Sequence, residues 1–219
     1  MFPDEASDPQ RLRVKICGLT NADDARAAID AGADAVGLNC YRGSKRFLDL
    51  RSNSEWIEKL PARIGKVAVL VNPSWDEAVA IAALPFITAL QLHGQETPAF
   101  CRRLHAEGVT FSKAIPVRDD ASLAGSLDYS TETVILDSER SGAFGGTGVA
   151  FPWAIARRFV ETQPLFRVIL AGGLSPENVA GAVALVRPFG VDVTSGVEAG
   201  TGFKDHQRLR SFIEAARCA

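Results

Sequence analysis

No two of the four cysteines, Cys17, Cys40, Cys101 and Cys218, lie at C-x-x-C spacing or beside histidines in a zinc pattern. That argues against a disulfide framework or a structural zinc site and for reduced thiols, as in a cytoplasmic protein. Long apolar runs are missing too: no stretch reaches the roughly 18 residues of a membrane span. The opening "MFPDEASDPQ" has neither a basic start nor an apolar core, so it reads as neither signal peptide nor anchor. Residues 1–10 are expected to be a disordered extension ahead of one catalytic domain over 11–219. There is no basic excess either, since 24 Lys and Arg face 26 Asp and Glu for a net charge of -2, which argues against a nucleic-acid partner.

What the sequence does hold is alternation. Short β-rich runs ("LRVKIC", "AVGLN", "KVAVLV", "TALQLH", "VTFSKA", "TVILD", "RVILA", "VDVTS") are separated by segments of helical period. The segments between them include "DDASLAGSL" and "SPENVAGAVALV", both read as helices. Asn21 or Thr20, Ser74 and Ser175 supply helix starts, and Gly32 and Gly108 supply stops. About eight such units of roughly 25 residues predict an α/β fold, a single (β/α)8 TIM barrel. An open doubly wound sheet is the alternative.

In a barrel strand, one face meets the helices and the other points inward with period two. Val14 and Ile16 then face outward and leave Lys15 and Cys17 inside. The same count turns Gln91, His93, Asp137 and Asp192 inward and puts Asn39 and Asn72 at strand ends. These polar residues gather at the carboxyl ends of strands, where enzymes of this fold hold their sites. Taken singly, each has a plainer reading: a small buried hydrophobe for the cysteine, a satisfied core residue for the histidine, loop caps for the asparagines.

Glycine clusters follow the last two strands, in "LAGGLSPENV" and "VTSGVEAGTG". Bare backbone N–H groups at such turns can receive a phosphate, which makes Gly172, Gly173, Ser195 and Gly196 the candidates; tight turns would use the same residues. A third run, "SGAFGGTG", is not a dinucleotide fingerprint and reads as a mobile flap. A thiol and a carboxylate beside a phosphate anchor, with no metal or flavin signature, suggest proton transfer on a small phosphorylated molecule. As a base, Cys17 needs a positive field, for which Lys15 is the near source. Asp137 as the acid needs a raised pKa.

The stretches "VKICGLT", "SKRF", "LQLHG", "ILDS" with "GGTG", "LAGGLSPENV" and "VDVTSGVE" run in one order across almost the whole chain. Together they resemble the phosphoribosylanthranilate isomerases of tryptophan biosynthesis. The resemblance implies an Amadori rearrangement of N-(5-phosphoribosyl)anthranilate that needs no cofactor and no metal. It further implies Asp137 as general acid, Cys17 as the base at C2, Arg46 as the holder of the anthranilate carboxylate, and His93 and Asp192 as binding or orienting residues. The expected partner is the phosphorylated substrate, with no membrane and no nucleic acid, and the expected assembly is a monomer or homodimer. The segment "LNCYRGSKRF" departs from the family by lacking the usual proline and aromatic ahead of the serine-arginine motif.

Overall fold

Eight parallel strands pair in chain order and close on themselves. The computed structural model describes residues 1–3, 8, 11–138 and 152–219. The strands are β1 (Arg13–Cys17), β2 (Ala35–Asn39), β3 (Gly65–Leu70), β4 (Ala89–Leu92), β5 (Phe111–Val117), β6 (Thr133–Ser138), β7 (Arg167–Leu170) and β8 (Gly190–Val193). Val14 pairs with Val191 and Ile16 with Val193, so the first strand meets the last and the open-sheet alternative falls. Helices α1 (Ala22–Asp30), α2 (Ser54–Glu58), α3 (Trp75–Ala82), α4 (Pro98–Ala106), α5 (Trp153–Thr162), α6 (Val179–Val186) and α7 (His206–Arg217) cover the outside.

The two faces of each strand separate as period two requires. Val14, Ile16, Val36, Leu38, Leu90, Leu92, Val134 and Leu136 pack in the layer that also holds helix residues such as Ala25, Ala28 and Phe212. Inside the barrel a smaller cluster of Ala35, Val67, Ala114, Ile135 and Ile169 fills the lower half. An eight-stranded barrel leaves room for side chains only, so this interior is a packed floor under the mouth.

That floor includes Phe2, which is 5% exposed and meets Phe189 edge-on with ring centroids 5.8 Å apart. The expected disordered extension therefore fails at Phe2, because small inward residues such as Ala35 leave an apolar recess that an aromatic ring fills. Residues 4–7, 9 and 10 of that stretch lie outside the described residues.

Local chemistry sets most helix starts. Asn21 Oδ1 accepts from Asp24 N at 2.8 Å, Ser74 Oγ from Glu77 N at 3.1 Å, and Thr97 Oγ1 from Phe100 N with Pro98 at the first turn. Gly32 and Gly108 follow α1 and α4 as read from the sequence.

Two helix expectations need correction. "DDASLAGSL" forms two 3-10 turns, Asp120–Leu123 and Ser126–Tyr129, because a reciprocal Asp119–Ser122 box closes the first and Gly125 separates them. Ser175 is not the cap of α6, which begins at Val179. The Asn178 side chain instead straps the preceding loop, accepting from Ser175 N and donating to Gly173 O, both at 2.8 Å. After β8 comes a hairpin absent from the sequence reading, β9 (Glu198–Gly200) with β10 (Phe203–Lys204).

Candidate active site

Cys17 ends β1 and pairs across the ladder with Gly37. A Cβ at Gly37 would lie 2.5 Å from the Cys17 sulfur, so the bare backbone there makes room for the thiol. The next residue, Gly18, has φ +72°, and a Cβ on it would lie 2.6 Å from Arg46 Cδ. The turn after the thiol thus needs glycine twice, for its left-handed backbone and for the arginine stem lying over it.

Below the thiol, fully buried Lys15 places Nζ 2.7 Å from Asp192 Oδ2. Burial opposes the Lys15 charge, but Asp192 and then Cys17 outweigh it and hold the ammonium pKa above its ordinary value. For Cys17, burial pushes the thiol pKa up, Lys15 pulls it down, Asp192 pushes it up again and Lys204 pulls it down; the balance is upward. Lys15 does supply the positive field expected for it, though burial and its own counter-ion outweigh that field.

Across the mouth, Asp137 near the end of β6 is 6% exposed. Its Oδ1 accepts from Ser138 N at 2.7 Å, and its Oδ2 lies 3.2 Å from His93 Nε2. Gln91 Nε2 stands 2.8 Å from His93 Nδ1, so glutamine, histidine and aspartate form one line along the mouth. Gly172, with φ +78°, backs this carboxyl: a Cβ there would lie 2.5 Å from Ser138 N and 2.7 Å from Asp137 Oδ1. Asp192 Oδ1 and Gln91 Oε1 are buried with no hydrogen-bond partner among the described residues, and both side chains line the same cleft. Bare acceptors at a cleft wall suit ligand hydroxyls.

The cleft gathers Cys17, Arg46, His93, Asp137 and Asp192 with Gly172, Gly173, Ser195 and Gly196. The loops after β7 and β8 lie back to back, since a Cβ at Gly196 would collide with the Leu174 carbonyl. Asn39 also lines this cleft, and its Oδ1 accepts from Tyr41 N at 3.0 Å. Asn72 is not among the cleft residues and is corrected here. With φ +48° it turns toward the loop after β4, its N–H donating to Glu96 Oε1 and its Oδ1 accepting from Gln95 N. The run "SGAFGGTG" lies outside the described residues.

Two charged residues escaped the sequence reading. Glu198 receives Arg46 in a two-pronged pair, Nε to Oε1 and Nη2 to Oε2, each at 2.7 Å. Buried Lys204 donates to the Cys17 carbonyl at 2.7 Å, to the Thr194 carbonyl at 3.1 Å and to Glu198 Oε1 at 3.2 Å. The signal that points to them is a lone acid and a lone base inside the glycine-rich segment that follows β8.

The family profile described as N-(5'phosphoribosyl)anthranilate (PRA) isomerase matches residues 14–215. The chain belongs to the phosphoribosylanthranilate isomerase family. Among relatives so named, that of Thermotoga neapolitana is 41% identical over 207 residues, covering 94% of this chain and 98% of the relative. The phosphoribosylanthranilate isomerase of Pseudomonas fluorescens is 42% identical over 208 residues, with coverage of 94% and 98%. The crystal structure of phosphoribosyl anthranilate isomerase from Thermotoga maritima superposes with a TM-score of 0.86 at 37% identity, covering 95% of this chain and 100% of that one. The crystal structure of a phosphoribosyl anthranilate isomerase in complex with reduced 1-(o-carboxyphenylamino)-1-deoxyribulose 5-phosphate gives 0.82 at 36% identity with the same coverage.

Proposed function

We propose that Cys17 and Asp137 carry the proton transfers of the phosphoribosylanthranilate isomerase reaction in this chain, with Asp137 as acid and Cys17 as base. The reading rests on one observation above all: a buried thiol and a buried carboxyl share a cleft whose rim holds a glycine pair on one side and an arginine on another. The substrate is N-(5-phosphoribosyl)anthranilate, and the product is 1-(2-carboxyphenylamino)-1-deoxyribulose 5-phosphate, an intermediate of tryptophan biosynthesis.

Asp137 gives its proton to the furanose oxygen, the bond from that oxygen to C1 breaks, and the anthranilate nitrogen forms a protonated Schiff base at C1. The Cys17 thiolate removes the C2 proton, which the cationic nitrogen acidifies. The electron pair moves into a C1–C2 double bond as an enolamine; on tautomerisation the C2 hydroxyl loses its proton as C1 gains one, and transfer of the Cys17 thiol proton to the Asp137 carboxylate through solvent restores both groups. No electrons enter or leave, and the sequence of transfers uses only positioned acids and bases.

His93, reached by Gln91, orients the Asp137 carboxyl. The bare Oδ1 of Asp192 is placed to accept from a sugar hydroxyl. Gly172, Gly173, Ser195 and Gly196 receive the phosphate through backbone N–H groups, with the Ser195 hydroxyl as a further donor. Arg46 meets the anthranilate carboxylate, for which its planar fork is suited.

Residues 11–219 act as one catalytic barrel in the cytoplasm, as monomer or homodimer. A Thermotoga maritima relative is described as dimeric, with monomers generated from it. No helix among the described residues is long and apolar enough to cross a membrane.

The test generates substrate in place from anthranilate and phosphoribosyl pyrophosphate with a transferase and follows substrate fluorescence. Wild type is expected to quench it catalytically, and absence of catalysed loss overturns the reading. Cys17→Ala and Asp137→Asn should each lower kcat by at least about 100-fold, the smallest effect usual for a positioned acid or base. If both stay near wild type, the roles are assigned wrongly.

A further inference from the structure

The pair between Arg46 and Glu198 occupies only one edge of the guanidinium. Nε and one N–H of Nη2 are taken by the carboxylate, each bond 2.7 Å long. One N–H of Nη1 and the second of Nη2 form another two-pronged edge in the same plane, free of that pair. Arg46 reaches the cleft with this grip in place.

Glu198 itself is held from several sides. Its side chain is 6% exposed, and Oε1 also accepts from Lys204 Nζ at 3.2 Å and from Gly202 N at 3.3 Å. The same ammonium ties down the carbonyls of Cys17 and Thr194, at the ends of β1 and β8. The carboxylate is therefore anchored to the barrel rim beside the thiol, and the arginine is anchored to the carboxylate. Within this trio two cations and one anion leave a single positive charge, which matches one substrate carboxylate.

We propose that Glu198 is a positioning residue for recognition of the aromatic carboxylate: it fixes one edge of Arg46 so that the opposite edge meets the ligand. The idea rests on the role given to Arg46 above. Without the grip, a long side chain with several rotatable bonds has to be ordered by the ligand itself, and a second uncompensated cation stays in the site.

The experiment compares two inhibitors, reduced 1-(o-carboxyphenylamino)-1-deoxyribulose 5-phosphate and its counterpart lacking the ring carboxylate. Wild type should prefer the first by about 10- to 100-fold, the range of charge-assisted hydrogen bonds. In Glu198→Gln the preference should fall below about 3-fold while the affinity for the carboxylate-free inhibitor holds, and KM should rise more than kcat falls. Arg46→Lys should lose the preference as well, since an ammonium has no second edge.

A preference in Glu198→Gln equal to that of wild type overturns the proposal and leaves Glu198 merely structural. Absence of preference in wild type would instead sink the role of Arg46. Should Glu198→Gln fail to fold, Glu198→Asp carries the same comparison. It keeps the charge but withdraws the fork by one methylene, and an unchanged preference there also overturns the proposal.

Discussion

Burial and the Lys15 ammonium act on Cys17 in opposite directions, and burial wins, which holds the thiol pKa above its ordinary value. In the role proposed for it, Cys17 works as the thiolate. Below the thiol pKa the thiolate fraction grows about tenfold per pH unit, so the residual kcat/KM of Asp137→Asn, in which the acid no longer titrates, should climb with that slope. Thiolate absorbance near 240 nm, read as wild type minus Cys17→Ala, should titrate with a midpoint above the roughly 8.5 of a free cysteine. Lys15→Met should move the midpoint higher still, because it removes a cation and leaves Asp192 uncompensated. A wild-type midpoint below about 8.5 would mean that Lys15 prevails over burial. Sequence periodicity places both residues inside the barrel, but it pairs Lys15 with the thiol alone. The Lys15–Asp192 ion pair, which decides how much of that charge the sulfur feels, spans β1 and β8 and follows from barrel closure.

The β9–β10 hairpin is fastened to α1 through one carboxylate. Asp24 Oδ2 accepts from Lys204 N at 2.9 Å and from Asn21 Nδ2 at 3.0 Å, and Oδ1 lies 2.8 Å from His206 Nε2. Asp24→Ala should cost about 2 to 3 kcal/mol in urea unfolding, because it leaves the buried Lys204 N–H without its acceptor. Burial works to raise the Asp24 pKa, yet the Lys204 N–H and the His206 ring outweigh it and hold it below the ordinary 3.8. A depressed carboxylate pKa stabilises the fold fully above the unfolded value and loses that effect as pH falls through the folded one. The difference between wild type and Asp24→Ala should therefore be full at pH 6 and shrink below pH 3.8; a constant difference would assign the effect to packing. Helix caps such as Asn21 and Ser74 are legible because donor and acceptor lie three residues apart. The hairpin is not legible, since its strands are three and two residues long and carry no period.

Phe2 connects the start of the chain to the barrel floor, far from the catalytic mouth. Its ring joins Ala35, Val67 and Ile169 in the interior cluster. Phe2→Ala should lower the unfolding free energy by about 2 to 4 kcal/mol, the usual range for losing a buried aromatic ring less what local collapse recovers. Thermal unfolding measures it. kcat should hold, because Phe2 is not among the residues that line the cleft; a fall in kcat matching the loss of stability would mean that floor and mouth move together. Nothing in "MFPDEASDPQ" identifies the ring as a plug, since one aromatic among acidic and proline residues has no partner nearby in sequence.

Properties set by neighbours along the chain are legible in the sequence by itself. Strand and helix periods, the inward face holding Cys17, Gln91, His93, Asp137 and Asp192, and the glycine turns after β7 and β8 all follow from local backbone geometry. Contacts between loops are not. Arg46 and Glu198 lie 152 residues apart, and Cys17 and Lys204 lie 187 apart. Each pair exists because closure of β8 onto β1 carries the last hairpin to the first loops, and periodicity within a strand holds no information about which loop its end will meet.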